Sequence, residues 1–262
     1  MKTTKPIEYT WFRNGTGEVV PAEVIVEKPV SLTINGEAWL TLMCTPIHLE
    51  ALAVGFLYNE GFITSMDEVA EVRTCENGDN VDVWLTHSVE QPKNWRKTSG
   101  CTGGVTSQTE SGPQTARQAN GASVTPAQVS ALAAKLFDAQ DLYKQTGGVH
   151  TSALSDGENI LLAAEDIGRH NTLDKIAGLY LMHKPALAHK ILLTTGRISS
   201  EMIQKAAKIG ASIVISRTSP SSLSVEIAEN AGITLIGYAR RDRFTVYTHP
   251  HRILEIERVA QG

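Results

Sequence analysis

From Val149 to Ala239 the chain alternates strand-like and helix-like segments, and no other feature restricts its folding as much. Val149–Leu154, Asn159–Ala164, Lys190–Thr194, Ser212–Ser216 and Ile233–Ala239 have strand character; Thr172–Met182, Ser199–Ile209 and Ser221–Asn230 have helical spacing. Alternation with short connections predicts an α/β layer with parallel strands, in which ligands bind where the strands end. The first hundred residues differ. Ile7–Phe12, Ala22–Val26, Val30–Ile34 and Trp39–Met43 are β-rich, and Asn35-Gly36 between the last two is a hairpin turn signal. Val72–Cys75 and Val81–Leu85 flank a second such turn, Asn77-Gly78. Thr45-Pro46 and Thr125-Pro126 each offer a cap followed by a first-turn proline. One helix is expected to run to Gly61 through Leu49, Ala53, Phe56 and Leu57. The other is expected to run to Gly147-Gly148 through Val129, Leu132, Leu136 and Leu142.

Residues 98–123 are rich in Gly, Ser, Thr and Gln and nearly free of large apolar groups, the composition of a mobile loop or a boundary. The expected organisation is a β-rich part with one helix over 1–97, this loop over 98–123, and an α/β domain over 124–262. The expected class is α/β, α+β overall. At 42% hydrophobic residues the chain has ample material for a core and is not a disordered protein. With 24 Lys and Arg against 28 Asp and Glu, no excess of positive charge points to nucleic acid. No apolar run approaches the ~20 residues that span a bilayer, and Met1–Gly15 carries no export signal, so the cytoplasm is the expected compartment. Three cysteines, an odd and sparse set, fit a reducing environment without a disulfide framework.

Those cysteines divide in two. Cys44 and Cys75 lie in or beside strand-like runs and are expected to pack as small hydrophobes. Cys101 lies among Gly100, Gly103 and Gly104, where it has no element to pack in, and Lys93, Arg96 and Lys97 precede it. An accessible thiol near cations is the setting of a reactive thiolate.

Anion sites are expected at two strand-to-helix turns, Thr194–Ser200 with Arg197 and Ser199, and Ser216–Ser222 with Ser221. Exposed amides at a helix start attract negative charge, although N-capping beside solvated arginines accounts for either turn alone. Asp166-Ile-Gly-Arg-His-Asn171 is the densest polar cluster. Capping by Asn171 and pairing of Asp166 with Arg169 would explain it structurally. Arg169, His170 and Asn171 around a glycine turn also suit an anionic ligand, with His150 and Ser152 able to face the same place. Arg240-Arg-Asp-Arg243 follows the last strand and is either a solvated charge run or a phosphate site. His48-Leu-Glu50 has the H-x-E spacing of zinc deaminases, but the companion P-C-x-x-C is missing, so no metal site is expected.

Together these stretches resemble the FdhD/NarQ family. The resemblance is carried by Leu52–Gly61, Ser99–Gly104, Gly147–Ala153, Glu165–Lys175, Thr195–Ser199, Ser219–Leu223 and Gly237–Arg252. It implies a fold similar to cytidine deaminases behind a smaller β-rich N-terminal part, without their zinc chemistry. It also implies a sulfurtransferase task. A cysteine desulfurase donates persulfide sulfur to the loop cysteine, here Cys101, and that sulfur passes to the molybdenum of the bis-molybdopterin guanine dinucleotide cofactor, bound as substrate. The client would be a formate dehydrogenase, the assembly a homodimer, and GDP a fragment analogue of the cofactor. The family's cofactor-binding segment falls on Tyr238, Ala239, Arg240, Arg241, Asp242 and Arg243. The family often has C-x-x-C in the loop; this chain has Cys101-Thr-Gly-Gly104, which removes a disulfide with position 104 but leaves one thiolate to accept and donate sulfur. The rival readings are a module that escorts the cofactor without moving sulfur, and a nucleotide-modifying enzyme.

Overall fold

In the computed structural model, which describes residues 1–93, 95–97, 105–107 and 122–254, the long apolar segments become two layers joined through helices. The chain begins with an antiparallel hairpin, β1 (Thr4–Arg13) and β2 (Thr16–Ile25). Its turn residues Asn14 and Gly15 both have positive φ, the conformation of a two-residue hairpin turn. Next come β3 (Lys28–Ile34), β4 (Glu37–Cys44), helix α1 (Leu49–Glu60), β5 (Val69–Thr74) and β6 (Asn80–Leu85). These strands form one sheet in the order β4-β3-β6-β5, with β3 and β6 parallel and the outer pairs antiparallel. Alternate residues Val30, Leu32, Ile34, Val81, Val83 and Leu85 are buried against Leu49, Leu52, Ala53 and Phe56 of α1. Each such aliphatic side chain contributes ~1.5–3 kcal/mol on burial.

Two short strands, β7 (Trp95–Lys97) and β8 (Val105–Ser107), pair antiparallel. Cys101 falls between them in sequence, outside the described residues. Then follow α2 (Pro126–Asp138), α3 (Asp141–Thr146), β9 (His150–Ser155), β10 (Ile160–Asp166), α4 (Arg169–His183), β11 (Ile191–Thr194), α5 (Ser200–Ile209), β12 (Ile213–Ser216), α6 (Ser222–Ala231), β13 (Thr234–Gly237) and β14 (Thr245–Val246). The six strands lie in the order β10-β9-β11-β12-β13-β14. Both faces are covered, so the central strands are largely apolar, with Thr194 and Ser216 at their C-terminal ends. Leu192, Val214 and Leu235 face α4, α5 and α6; Ile191, Leu193, Ile213, Ile215 and Ile236 share a cluster with Val129, Leu132 and Leu136 of α2.

The mixed α/β class is as expected, but the sheet is not wholly parallel. Only β11, β12 and β13 run parallel; β9 is antiparallel to both of its neighbours, and β14 to β13. The link from β9 to β10 holds no helix, and a connection that short closes a hairpin. The helix expected at Thr45-Pro46 begins later. Its N-cap is His48, and Thr45 is buried, with its N–H donating to Asp166 Oδ2 (3.0 Å) and its Oγ1 accepting from the Ile167 N–H (3.1 Å). A tertiary contact has taken the capping group. The helix expected to reach Gly147 divides instead at Ala139 and Gln140, because the Glu165 carboxylate takes the N–H groups of Leu142 (2.7 Å) and Tyr143 (3.0 Å) and starts α3 afresh.

The two layers meet where α1 crosses α4. A Cβ built on Gly55 would lie 1.7 Å from the Asp174 carbonyl oxygen, and one on Gly178 would lie 1.9 Å from that of Ala51. Backbone touches backbone there, and no larger residue fits. Beside this crossing, Lys205 is buried against both Asp174 carboxylate oxygens (2.7 Å each), and Asn59 donates to the same Asp174 (2.7 Å).

Candidate functional site

The C-terminal ends of β11, β12 and β13 and the adjoining end of β9 are stitched into one surface. Thr195 N–H donates to Thr151 O, Arg217 N–H to Thr194 O, Ala239 N–H to Ser216 O and Tyr238 N–H to Thr218 O. The two strand-to-helix turns bridge each other at Ile198 and Pro220. The residues after three neighbouring strands therefore converge on one edge, the usual place for ligands in an open α/β sheet.

A cleft of about 460 Å3 opens on this edge, lined by Gln140 and Tyr143 from the α2–α3 break, Gly147 to His150 leading into β9, Ile167, and Thr195, Arg217, Thr218 and Arg240 from the turns after the strands. That volume falls within the range of small-molecule sites. A smaller depression of about 190 Å3 adjoins it, sharing Arg217 and Arg240 and adding Phe137, Ala239 and Arg241. The Arg217 guanidinium lies 5.8 Å from the centre of the Phe137 ring, a cation–π distance. Arg240 donates through Nη1 to Arg217 O (2.6 Å) and Ala239 O (2.9 Å). Two guanidinium groups are thus held at the junction of the two hollows.

The anticipated residues are distributed unevenly around this edge. Arg240 lines both hollows and Arg241 the smaller one. Ala239 is buried, whereas Asp242 and Arg243 are exposed in a turn closed by the Arg240 N–H and Arg243 O (2.9 Å). Tyr238 is half-exposed with φ +51°, a left-handed conformation unusual for a tyrosine. Arg197 is exposed on its turn. Ser221 caps α6 by accepting from the Ser224 N–H, while Ser199 makes no such cap and lies 3.4 Å from His170 Nε2. Arg169 and His170 are buried beneath the turn. Gly196 is obligatory there, because a Cβ would lie 2.9 Å from Arg169 Cβ.

The Asp166–Asn171 cluster is mostly internal. Asp166 Oδ2 accepts from Lys175 Nζ (2.6 Å) and the Thr45 N–H, and Oδ1 from the Gly168 N–H and Asn171 Nδ2 (2.8 Å each). Lys175 also donates to the carbonyls of Thr45 (3.0 Å) and Glu165 (3.1 Å). Asp166 therefore pairs with Lys175, not with Arg169, and Asn171 turns inward without capping α4, whose N-cap is Gly168. Ser152 is likewise internal, bonded to Thr172 and Thr194. His150 does reach the cleft wall. Burial lowers its pKa, with Arg169 and Arg197 adding to the effect. Burial, with Lys205 and Arg169 nearby, lowers that of His170 to about 3. Both imidazoles are neutral near pH 7, so the positive charge on this edge comes from arginines.

Cys44 packs in the core as expected, whereas Cys75 is not a packed small hydrophobe but a polar-bonded turn residue. Cys44 is fully buried and its thiol is pushed up to about 12 by burial, with Asp166 reinforcing the shift, so it is inert as a nucleophile. Cys75 is half-buried, with Sγ–H donating to Asp79 Oδ1 (2.8 Å) and Sγ accepting from the Asn80 N–H (3.3 Å), bonds internal to the β5–β6 turn. Sequence reasoning does not single out Gln140, Tyr143, Arg217 or Thr218, the last two within a turn expected to be an anion site. An acidic residue, Asp141, one position after a helix-compatible Gln is the only local sign of the break that brings Gln140 there.

Comparison with known proteins agrees with this architecture. The chain is 38% identical over 251 residues to the sulfur carrier protein FdhD of Bacillus subtilis, covering 93% of this chain and 96% of that one. It is 39% identical over 249 residues to the protein of the same name from Bacillus pumilus, covering 93% and 95%. The crystal structure of a Desulfotalea psychrophila protein designated a formate dehydrogenase accessory protein superposes with a TM-score of 0.82 at 30% identity, over 97% of this chain and 100% of that one. The FdhD/NarQ family model matches residues 25–254, from the end of the first hairpin through the strand-end cleft, and the chain belongs to the FdhD/NarQ family.

Proposed function

We propose that this chain is a sulfur carrier that serves a formate dehydrogenase, with Cys101 as the carrier residue. A cysteine desulfurase presents a persulfide; the Cys101 thiolate attacks its outer sulfur, the S–S bond of the donor breaks, and the donor leaves as a thiolate. Cys101 then holds the sulfur as a persulfide. The acceptor is the molybdenum of the bis-molybdopterin guanine dinucleotide cofactor, a substrate held on the protein before delivery to the dehydrogenase. Its nucleotide ends bind at the strand-end cleft, for which GDP serves as a fragment. Arg217 and Arg240 are the leading phosphate ligands because guanidinium groups bind phosphate bidentately, with Arg241, Arg243, Arg197 and Ser199 around them. Tyr238, Ala239 and Asp242 shape the turn that carries Arg240, Arg241 and Arg243, Arg169 and His170 underlie the neighbouring turn of Arg197 and Ser199, and Ser221 fixes the start of α6. The proposed assembly is a cytoplasmic homodimer.

The observation that carries this reading is the pair of arginines fixed at the mouth of two hollows in a chain of this family. The inert Cys44 and the turn-bound Cys75 support the assignment of the carrier role to Cys101. A module that only escorts the cofactor would not need that thiol. The test is activation of a formate dehydrogenase in cells lacking the native carrier. Cys101→Ala should fold, bind GDP and fail to activate the client, whereas full rescue would favour the escort module.

A further inference from the structure

Of the residues lining the larger cleft, Gln140 alone carries a buried polar atom without a hydrogen-bond partner among the described residues. Gln140 is 1% exposed. The orientation of its amide follows from its neighbours. Thr151 Oγ1 donates its one proton to Glu165 Oε1 (3.3 Å), and that carboxylate also receives the Tyr143 N–H. Toward Gln140, Thr151 Oγ1 can therefore only accept, and it takes a proton from Nε2 (3.2 Å). The carbonyl Oε1 is left as the orphan. An apolar side chain of the same length would fill this place without a desolvated acceptor, which is costly when unmatched.

The cleft is polar in a directional way. Arg217, Thr218 and Arg240 come from the turns that follow β12 and β13, whereas Gln140 and Tyr143 come from the break between α2 and the start of α3. We infer that Gln140 is a specificity-determining residue of the nucleotide site: its Oε1 accepts an N–H of the base, as guanine offers at N1 and its 2-amino group, while the diphosphate lies toward Arg217 and Arg240. This rests on the proposal above that nucleotide ends of the cofactor bind at this edge. A site with a desolvated acceptor rejects ligands that bring no donor to it, so the residue gives selectivity as well as affinity.

Calorimetric titration of the full chain with GDP and with inorganic pyrophosphate separates the base from the phosphates. Gln140→Met should bind GDP tenfold or more weakly, bind pyrophosphate as the parent does, and keep its melting temperature without ligand. Gln140→Glu, which retains an acceptor, should bind GDP better than the Met variant does. Unchanged GDP affinity in Gln140→Met would overturn the inference and leave the nucleotide site standing. Equal loss of GDP and pyrophosphate would assign Gln140 a structural role and overturn it too. Failure of the parent to bind GDP would overturn both the inference and the reading beneath it.

Discussion

Replacing Asp166 with Asn tests whether the most conspicuous polar cluster of the sequence acts on the fold or on a ligand. Asp166 and Lys175 are both fully buried, and the four lone-pair positions of the carboxylate are met by four donors: Lys175 Nζ, the N–H groups of Thr45 and Gly168, and Asn171 Nδ2. An amide can accept on one side only. If its oxygen keeps Gly168 and Asn171, its NH2 confronts the Lys175 ammonium and the Thr45 N–H, donors against donors. Breaking a buried pair in this way costs about 3–5 kcal/mol. Lys175→Met is expected to cost about 3 kcal/mol, the low end of that range, because three neutral donors still surround the carboxylate while the carbonyls of Thr45 and Glu165 lose a donor. The double variant should be more stable than Asp166→Asn alone, since the methionine removes the confronting ammonium. Urea denaturation of the four proteins measures these differences, and GDP titration below the transition should show unchanged affinity. A loss under about 1 kcal/mol in Asp166→Asn, or a double variant less stable than the single one, would refute the reasoning.

Gly178→Ala forces a methyl against the Ala51 carbonyl across the α1–α4 crossing. It should cost about 3 kcal/mol and lower the melting temperature by roughly 6–12 °C, and an unchanged melting temperature by calorimetry would contradict the contact. Acid should also weaken the fold through His170. Its pKa of about 3 in the folded protein lies below the ordinary histidine value, so the unfolded chain takes up the proton first. The stability from its neutral burial is complete above about pH 6.5 and is lost as pH falls toward 3, an effect of several kcal/mol. Equilibrium unfolding of His170→Gln from pH 7 to 4 should show a shallower loss than the parent, and parallel curves would exclude the effect.

What was legible in the sequence was mostly what local chemistry decides. Gly61 ends α1 with φ +88°, and Thr125 caps α2 in a reciprocal pair with Gln128. Asn35 and Gly36 both take positive φ at their hairpin turn. The covered strands Ile191–Thr194 and Ile213–Ser216 were readable because burial on both faces demands unbroken apolar runs. Long-range contacts decided the rest. Thr45 has the signature of a helix cap, yet a buried Asp166 far along the chain takes its N–H. Val149–Leu154 looks like any buried strand, and nothing in its own residues says that it runs antiparallel to β11. At the site, the local signals located the strand-end turns and Arg240. They could not show that Asp166, Asn171 and Lys175 satisfy one another, because the same polar residues would suit a ligand. Nor could they place Gln140, whose position depends on Glu165 restarting a helix from a neighbouring strand.

The most direct test of the account is to incubate the chain with a cysteine desulfurase and cysteine and to weigh and map it by mass spectrometry. One added sulfur atom, about 32 Da, removable by a reducing agent, should appear as a persulfide. It should map to Cys101 and be absent from Cys101→Ala, with Cys44 unmodified. A protein that gains no sulfur, or that gains it equally in Cys101→Ala, would contradict the assignment of Cys101 as the sulfur carrier.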